Sequence, residues 1–240
     1  MNPQQPNKPE MNAVRILEQG LAKVGEQNLV MACSFSVEDL VVIDLLHRHA
    51  PKVEIFAIDT GRLHEETYEV AEALLQRYQL MTKWYFPKTQ AVENLERAKG
   101  LFSFRESLTN RQECCQIRKV EPLSRALKGR DGWITGQRRA QGTTRSELAA
   151  LEIDPSQGGI LKINPLFDWC DEQVWGYAKE HCLPVNRLHA QGYPSIGCAP
   201  CTRAIKPGED SRAGRWWWEA PEHKECGLHR RDTSSEDRNS

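Results

Sequence analysis

Residues 29–39 read LVMACSFSVED, and the change of character along this stretch indicates a strand that turns directly into a helix. The apolar run over residues 29–35 is typical of a strand that is buried on both faces, as in parallel sheets. The polar turn leads into residues 38–49, which are rich in apolar side chains and have the length of a helix. Parallel strands need such connecting helices, so the stretch favours an α/β fold.

The segments on either side repeat this alternation of strand and helix. Further strands are predicted at residues 53–58, 81–86, 132–135 and 160–163. Further helices are predicted at residues 12–25, 64–78, 112–127 and 171–181. This order predicts a single α/β domain in which a mostly parallel sheet is flanked by helices.

Length and composition agree with one domain that has a packed core. The chain has 240 residues, of which 39% are hydrophobic and 27% are charged. No run approaches the roughly 18 apolar residues of a membrane span, and the first ten residues lack the apolar segment of a secretory leader. We therefore expect a cytoplasmic protein without a membrane partner. The predicted organisation is a disordered lead-in at 1–11, the α/β domain at 12–210, a mobile C-terminal arm at 211–229 and a disordered tail at 230–240.

Charge is unevenly distributed along the chain. The formal net charge is −1, yet residues 97–145 contain 12 basic and 4 acidic side chains, a balance of +8. A basic stretch inside a near-neutral chain favours a site for a compact anion over a nucleic-acid surface, because a duplex-binding domain is usually basic as a whole. A solvated basic helix is the alternative interpretation.

Three polar loops follow predicted strands, where open parallel sheets bind their ligands. The candidate binding residues in these loops are Ser34, Ser36, Asp59, Thr60, Gly61, Gly136, Arg138 and Arg139. The first loop enters a helix directly, so its backbone N–H groups could face a phosphate, although its serines could equally be helix caps. The adjacent arginines are suited to bidentate binding of phosphate or sulfate.

Eight cysteines in a chain without an export signal favour free thiols over disulfides. Cys114 and Cys115 are adjacent, and Cys198 and Cys201 form a C-x-x-C turn. Four thiolates from two such turns could hold zinc or an iron–sulfur cluster. Adjacent cysteines converge poorly on a single ion, which favours the cluster; buried thiols without a metal remain the third interpretation. Lys119 would bring the basic stretch beside any such centre.

The C-terminal part contains a further cysteine with basic neighbours. Cys226 lies in KECGLH, residues 224–229, where lysine and histidine favour the reactive thiolate. An incidental tail cysteine is the alternative. Trp216-Trp217-Trp218 precede this segment, after Arg212 and Arg215, and we expect the tryptophans to anchor the arm on the domain, with a lid as the alternative.

Together these motifs resemble the assimilatory adenylyl-sulfate (APS) reductases of the iron–sulfur type. The resemblance runs from about residue 29 to 229 and is carried by Cys114-Cys115, Cys198-x-x-Cys201, Gly136-Gln137-Arg138-Arg139 and the segments 59–64, 214–218 and 224–229. It implies a fold like that of the adenine nucleotide alpha hydrolases. The chain departs from related nucleotide-binding loops at Ser36 and Val37, where those loops often carry glycine.

The resemblance also implies a reaction and the residues that perform it. Cys226 would attack the sulfur of APS, forming an S-sulfocysteine and releasing AMP, and thioredoxin would then free sulfite, in assimilatory sulfate reduction for cysteine biosynthesis. Lys119, Arg138 and Arg139 would lie near the phosphosulfate, and Arg212 and Arg215 would join them when the arm closes. Cys114, Cys115, Cys198 and Cys201 would hold one [4Fe–4S] cluster per chain.

Three rival functions remain open at this point. A reductase of the 3′-phosphorylated substrate, PAPS, differs in the cysteine set and in the pocket for the extra phosphate. An ATP pyrophosphatase of the same fold class would adenylate a substrate and would not need Cys226. A metal-bearing nucleic-acid module suits the basic stretch but leaves the Cys226 segment unexplained. The sequence leaves a homo-oligomer open as well.

Overall fold

A computed structural model describes residues 8–142 and 145–220 of the chain. Within these residues six strands form one sheet, and their bounds are β1 (Leu29–Cys33), β2 (Glu54–Ile58), β3 (Lys83–Tyr85), β4 (Gly132–Ile134), β5 (Leu151–Asp154) and β6 (Ile160–Ile163). The strand order is β3-β2-β1-β4-β6-β5. Every neighbouring pair is parallel except β5 and β6, which are antiparallel. The prediction of a mostly parallel sheet is thus confirmed.

Helices cover both faces of this sheet. The α-helices of the described residues are α1 (Lys8–Val24), α2 (Val37–His49), α3 (Glu65–Tyr78), α4 (Thr89–Lys99), α5 (Leu108–Cys115), α6 (Glu121–Leu127) and α7 (Asp171–Glu180). A π-helical turn, Gln116–Val120, joins α5 to α6. None of the described helices is long and apolar enough to cross a membrane.

The strand β1 explains why both faces must be covered. Met31 and Cys33 are buried in a large core cluster together with side chains of α1, α2 and α7. Val30 points to the opposite face and is buried in a second cluster with Leu123 of α6 and Trp133 of β4. Because successive strand residues face opposite sides, an apolar run is stable here only with a helix layer on each side.

Three elements differ from their sequence-based predictions. Helix α1 begins at Lys8, so the predicted disordered lead-in at 1–11 is wrong for residues 8–11, where Glu10 is buried and pairs with Arg48. Helix α4 and edge strand β5 were not predicted, and each buries few of its side chains. Residues 1–7, and 221–240 with Cys226 and the predicted tail, lie outside the described residues.

The carboxyl end of β4 contacts the start of α2 closely. Ser36 caps α2 by accepting a hydrogen bond from the Asp39 amide at 3.3 Å. A Cβ atom added at Gly136 would lie 2.6 Å from a carboxylate oxygen of Asp39 and 3.1 Å from the amide nitrogen of the same residue. Only glycine allows this approach, which brings two of the predicted loops together.

Substitution of Gly136 by alanine is expected to destabilise the protein by about 1–3 kcal/mol, because backbone or a buried carboxylate must move. The matched control is Gly176→Ala in α7, where an added Cβ meets nothing within 4 Å. That variant should gain about 0.5–1 kcal/mol from helix propensity. Urea unfolding followed by tryptophan fluorescence measures both, and equal effects of the two substitutions would contradict this account of the junction.

Candidate functional site

A cavity of about 580 Å³ opens at the carboxyl ends of β1, β2 and β4. This volume is in the range of small-molecule and nucleotide sites. The loops that follow these strands lie close together. In open parallel sheets, ligand sites form at the point where the strand order changes direction. Here β1 connects toward β2 on one side and pairs with β4 on the other. The three loops chosen from the sequence therefore meet.

Eight of the eleven predicted binding residues contribute to the cavity wall, namely Ser34, Ser36, Thr60, Lys119, Gly136, Arg138, Arg212 and Arg215. The cavity wall also contains six residues that were not predicted from the sequence, namely Trp133, Arg145, Trp175, Asn186, His189 and Ser195. Most of these lie in segments without regular periodicity. The one sequence feature that could have indicated them is the presence of polar and aromatic side chains before the C-x-x-C turn.

Asp59 and Gly61 do not line the cavity but shape the loop after β2. The Asp59 carboxylate accepts hydrogen bonds from the Gly61 amide at 2.7 Å and from the Tyr68 hydroxyl at 2.9 Å. Burial together with the Asp59 carboxylate raises the pKa of Tyr68 to about 12, so this hydroxyl remains a donor. Gly61 has a φ of 70°, which closes the turn. These two residues therefore position Thr60.

Arg138 lies in the cavity wall with its charge already balanced. Its guanidinium donates to Glu38 Oε1 at 3.0 and 2.7 Å and to Asp171 at 2.6 Å, and a third nitrogen donates to the Trp169 carbonyl at 3.1 Å. Both Arg138 and Glu38 are buried. Arg138 therefore stabilises the junction between α2, β4 and α7, and its contact with a substrate anion stays a prediction.

Arg139 is directed away from the cavity. Its guanidinium donates to the Leu148 carbonyl at 2.8 Å and lies 4.8 Å from the centre of the Phe167 ring. Arg138 is extended, so the neighbouring side chains point to opposite sides. The predicted arginine pair is thus not a joint anion site, and Arg139 is corrected to an exposed packing position.

Further cations in the cavity wall, besides Arg145, come from other elements. Lys119 is contributed by the π-helical turn, and Arg212 and Arg215 come from the C-terminal segment. Arg215 is buried, donates to Ser195 Oγ and the Ile196 carbonyl at 3.3 Å, and has no carboxylate partner among the described residues. Lys119 and Arg215 both lie close enough to Cys198 to lower the pKa of its thiol, so the end of the cavity next to Cys198 is cationic.

The four cysteines of the two motifs line a second, small cavity. Cys114 and Cys115 end α5, and Cys198 and Cys201 flank a short turn. The cationic side chains Arg62, Arg111, Arg118 and Lys119 line the same space, together with Trp216. Lys119 and Cys198 belong to the walls of both cavities, so the two sites share a boundary.

The thiols differ in how easily they ionise. Burial, with the neighbouring Cys198, raises the pKa of Cys201 to about 12. Burial also opposes ionisation of Cys198, but Lys119, a hydrogen bond with Thr60 at 3.3 Å and Arg215 together outweigh it and lower its pKa. Burial also raises the pKa of Cys114, so Cys198 forms a metal-binding thiolate more readily than Cys114 or Cys201.

The donor set suits a thiolate-bound metal centre, since four cysteines line one small cavity and nearby cations would offset the charge of their thiolates. No group of three or more histidine, cysteine or acidic side chains in the described residues is arranged to hold a metal ion. The small cavity that these cysteines line holds about 20 Å³, roughly one water. A multi-iron cluster would therefore need the residues of its wall to move apart.

Two neighbouring substitutions test the roles of the arginines. Arg138→Ala leaves the buried Glu38 carboxylate without its main partner and should cost about 3–5 kcal/mol of stability. Arg139→Ala removes an exposed contact and should cost less than about 1 kcal/mol. Urea unfolding of both variants measures the difference. Equal losses would show that Arg138 is not the buried structural arginine described above.

Comparison with known proteins agrees with this arrangement. The profile of the phosphoadenosine phosphosulfate reductase domain matches residues 28–204. The adenosine 5'-phosphosulfate reductase of Allochromatium vinosum is 48% identical over 223 residues, which cover 93% of this chain and 86% of that protein.

Solved structures show the same fold. The phosphoadenylyl-sulfate (PAPS) reductase of Candida auris, a phosphate complex, superposes with a TM-score of 0.68 at 30% identity over 81% of this chain and 90% of its own. Candida glabrata FMN adenylyltransferase, in complex with FAD and inorganic pyrophosphate, is similar in fold alone, with a TM-score of 0.59 at 14% identity over 88% of this chain and 72% of its own. The chain therefore belongs to the phosphoadenosine phosphosulfate reductase domain family.

Proposed function

We propose that this protein reduces adenosine 5'-phosphosulfate to sulfite and AMP in sulfate assimilation, with thioredoxin as the electron donor. The observation that carries the proposal is the cationic end of the cavity, which shares Lys119 and Cys198 with the four-cysteine site. The relatives that are 48% identical to this chain over most of its length give further support, because they are named adenosine 5'-phosphosulfate reductase.

The cavity suits a nucleotide with a charged group at one end. Phe56, Ile58, Leu123 and Trp133 give part of its wall an apolar surface on which an adenine ring can pack. Lys119, Arg212 and Arg215 offer cations to a phosphosulfate. The leaving AMP gains negative charge on its phosphate, so cations at that end stabilise the transition state more than the bound substrate.

The first step transfers the sulfonate group to a cysteine. The Cys226 thiolate attacks the sulfur of the substrate, a sulfur–sulfur bond forms, and the bond to the bridging oxygen breaks. The electron pair of that bond stays on the phosphate of AMP. The products are AMP and an enzyme S-sulfocysteine, and no net oxidation or reduction of external groups has yet occurred.

The second step needs two electrons from an external dithiol, which we assign to thioredoxin. One thiolate of the donor attacks the Cys226 sulfur and expels sulfite. The second thiol then resolves the mixed disulfide, so the donor leaves as a disulfide and the Cys226 thiol is restored. A segment that presents Cys226 first to the cavity and then to a protein donor has to move between the two.

The reach of the chain allows Cys226 to serve in this way. Among the described residues, Glu219 is the anchored residue nearest to Cys226 in the sequence, seven residues before it. Seven residues span at most about 24 Å when fully extended. Arg215, four residues before Glu219, lines the cavity, so the described part of the chain contacts the site eleven residues before Cys226.

The proposed cofactor is one [4Fe–4S] cluster per chain. Cys114, Cys115, Cys198 and Cys201 would hold it, and its bound form would join α5 to the 198–201 turn and place a charged centre next to Lys119. The reaction above does not use the cluster for electron transfer, so its contribution is structural and electrostatic. The lowered pKa of Cys198 supports thiolate ligation there.

Substitution Cys226→Ser should abolish sulfite formation and leave binding of APS intact, because it removes the nucleophile and not the anion site. Intact-protein mass spectrometry after anaerobic incubation with APS, without reductant, should find a sulfonate adduct on Cys226 of the unchanged protein. An adduct with PAPS but not with APS would support the proposed reaction and contradict the proposed substrate. Nucleotide binding without any adduct would favour the adenylating rival.

Substitution Cys198→Ala should remove most of the iron and acid-labile sulfide from protein prepared without oxygen. The control is Cys33→Ala, a buried cysteine of β1 that does not line the small cavity. Iron and sulfide analysis and the visible absorption spectrum measure the result. Absence of iron and sulfide from the protein without substitutions would contradict the proposed cluster. Zinc in their place would assign the site to a single ion.

A further inference from the structure

The C-terminal segment is held on the domain by a buried ion pair between Arg111 of α5 and Glu219. The two carboxylate oxygens of Glu219 accept hydrogen bonds from Nε and Nη2 of Arg111 at 2.9 and 3.0 Å. The side chains are only 2% and 7% exposed. This is a two-point contact that fixes orientation as well as distance.

Arg111 also connects this anchor to the cysteine site. Its guanidinium lies 4.7 Å from the centre of the buried Trp216 ring and is hydrogen-bonded to Cys115. The Trp216 amide donates to the Cys201 carbonyl at 3.1 Å. Residues 216–219 are therefore fastened to both cysteine motifs, and the expectation that the tryptophans anchor the segment is confirmed for Trp216.

The energetics of such a pair indicate positioning more than stability. The loss of solvation free energy on burial of two charges is only partly offset by their mutual attraction. Apolar residues of similar volume therefore often stabilise a core equally well. What apolar packing lacks is the fixed geometry of the bidentate contact. Arg111 and Glu219 do not line the large cavity, so neither contacts a substrate bound there.

The position of the anchor along the chain gives it a consequence for catalysis. Cys226 follows Glu219 by seven residues, so the chain length alone keeps its thiol within about 24 Å of this anchor, and the position of the anchor limits where the thiol can react. We propose that the Arg111–Glu219 ion pair positions the segment that carries Cys226, so that its thiol reaches the bound substrate. This inference rests on the proposed function of Cys226, and both residues are positioning residues.

The test is Glu219→Gln in the full-length protein, which keeps the size of the side chain and removes its charge. The rate of adduct formation on Cys226 at saturating APS, without reductant, should fall about ten- to a hundredfold. The dissociation constant of APS should stay within about twofold, because the cavity wall is unchanged. Glu54→Gln is the control, since Glu54 pairs with Arg130 at 2.8 Å at the amino end of β2, and neither residue lines the cavity.

A second variant separates positioning from the cost of an unpaired buried charge. The double substitution Arg111→Met and Glu219→Leu leaves no lone charge and should fold, yet it too should slow adduct formation. Iron and sulfide are measured on the same samples. Unchanged rates in both variants would overturn the inference, as would a loss of APS affinity equal to the loss of rate, or a loss of iron that accompanies it. Absence of the adduct in the unchanged protein would overturn the proposed function itself.

Discussion

Charges buried at the junction of β1, α2 and β4 constrain everything built around them. Glu38 and Asp39 start α2 in a buried position, and burial raises the pKa of Asp39 to about 6 despite hydrogen bonds from Ser34. Arg138 compensates Glu38, and Gly136 lets the strand end approach the carboxylates. The loop around these buried charges can adopt few other conformations without leaving a charge unpaired, so this part of the cavity wall is rigid.

This constraint divides the arginines of the chain into two groups. Those paired with a carboxylate, such as Arg138 with the buried Glu38 and Arg118 with the partly exposed Glu96, hold elements together. Arg215 has no carboxylate partner within the described part of the chain and faces the cavity. Basic composition alone therefore does not identify an anion site. What matters is which cations lack a fixed negative partner.

Much of the fold could be predicted because β1 and its neighbours carry strong periodic patterns, and the cysteine motifs could be predicted from their spacing. Two kinds of feature could not. The direction of Arg139 depends on the extended backbone before it, and the local sequence gives no sign of that. The pairing of Arg111 with Glu219 joins residues 108 positions apart, where no sequence pattern links them. Cys226, whose role was inferred from motif resemblance, lies outside the described residues.

The π-helical turn between α5 and α6 has a consequence for how this region can vary. It lets Cys114 and Cys115 before it and Arg118 and Lys119 within it line one small space. Each residue advances a helix by about 100°, so one deletion in the turn would rotate α6 on the sheet or turn the cysteines away. The length of this segment is thus fixed both by the packing of α6 on the sheet and by the position of the cysteines at the small cavity. Insertions or deletions should therefore be tolerated better in loops such as 155–159 than in this turn.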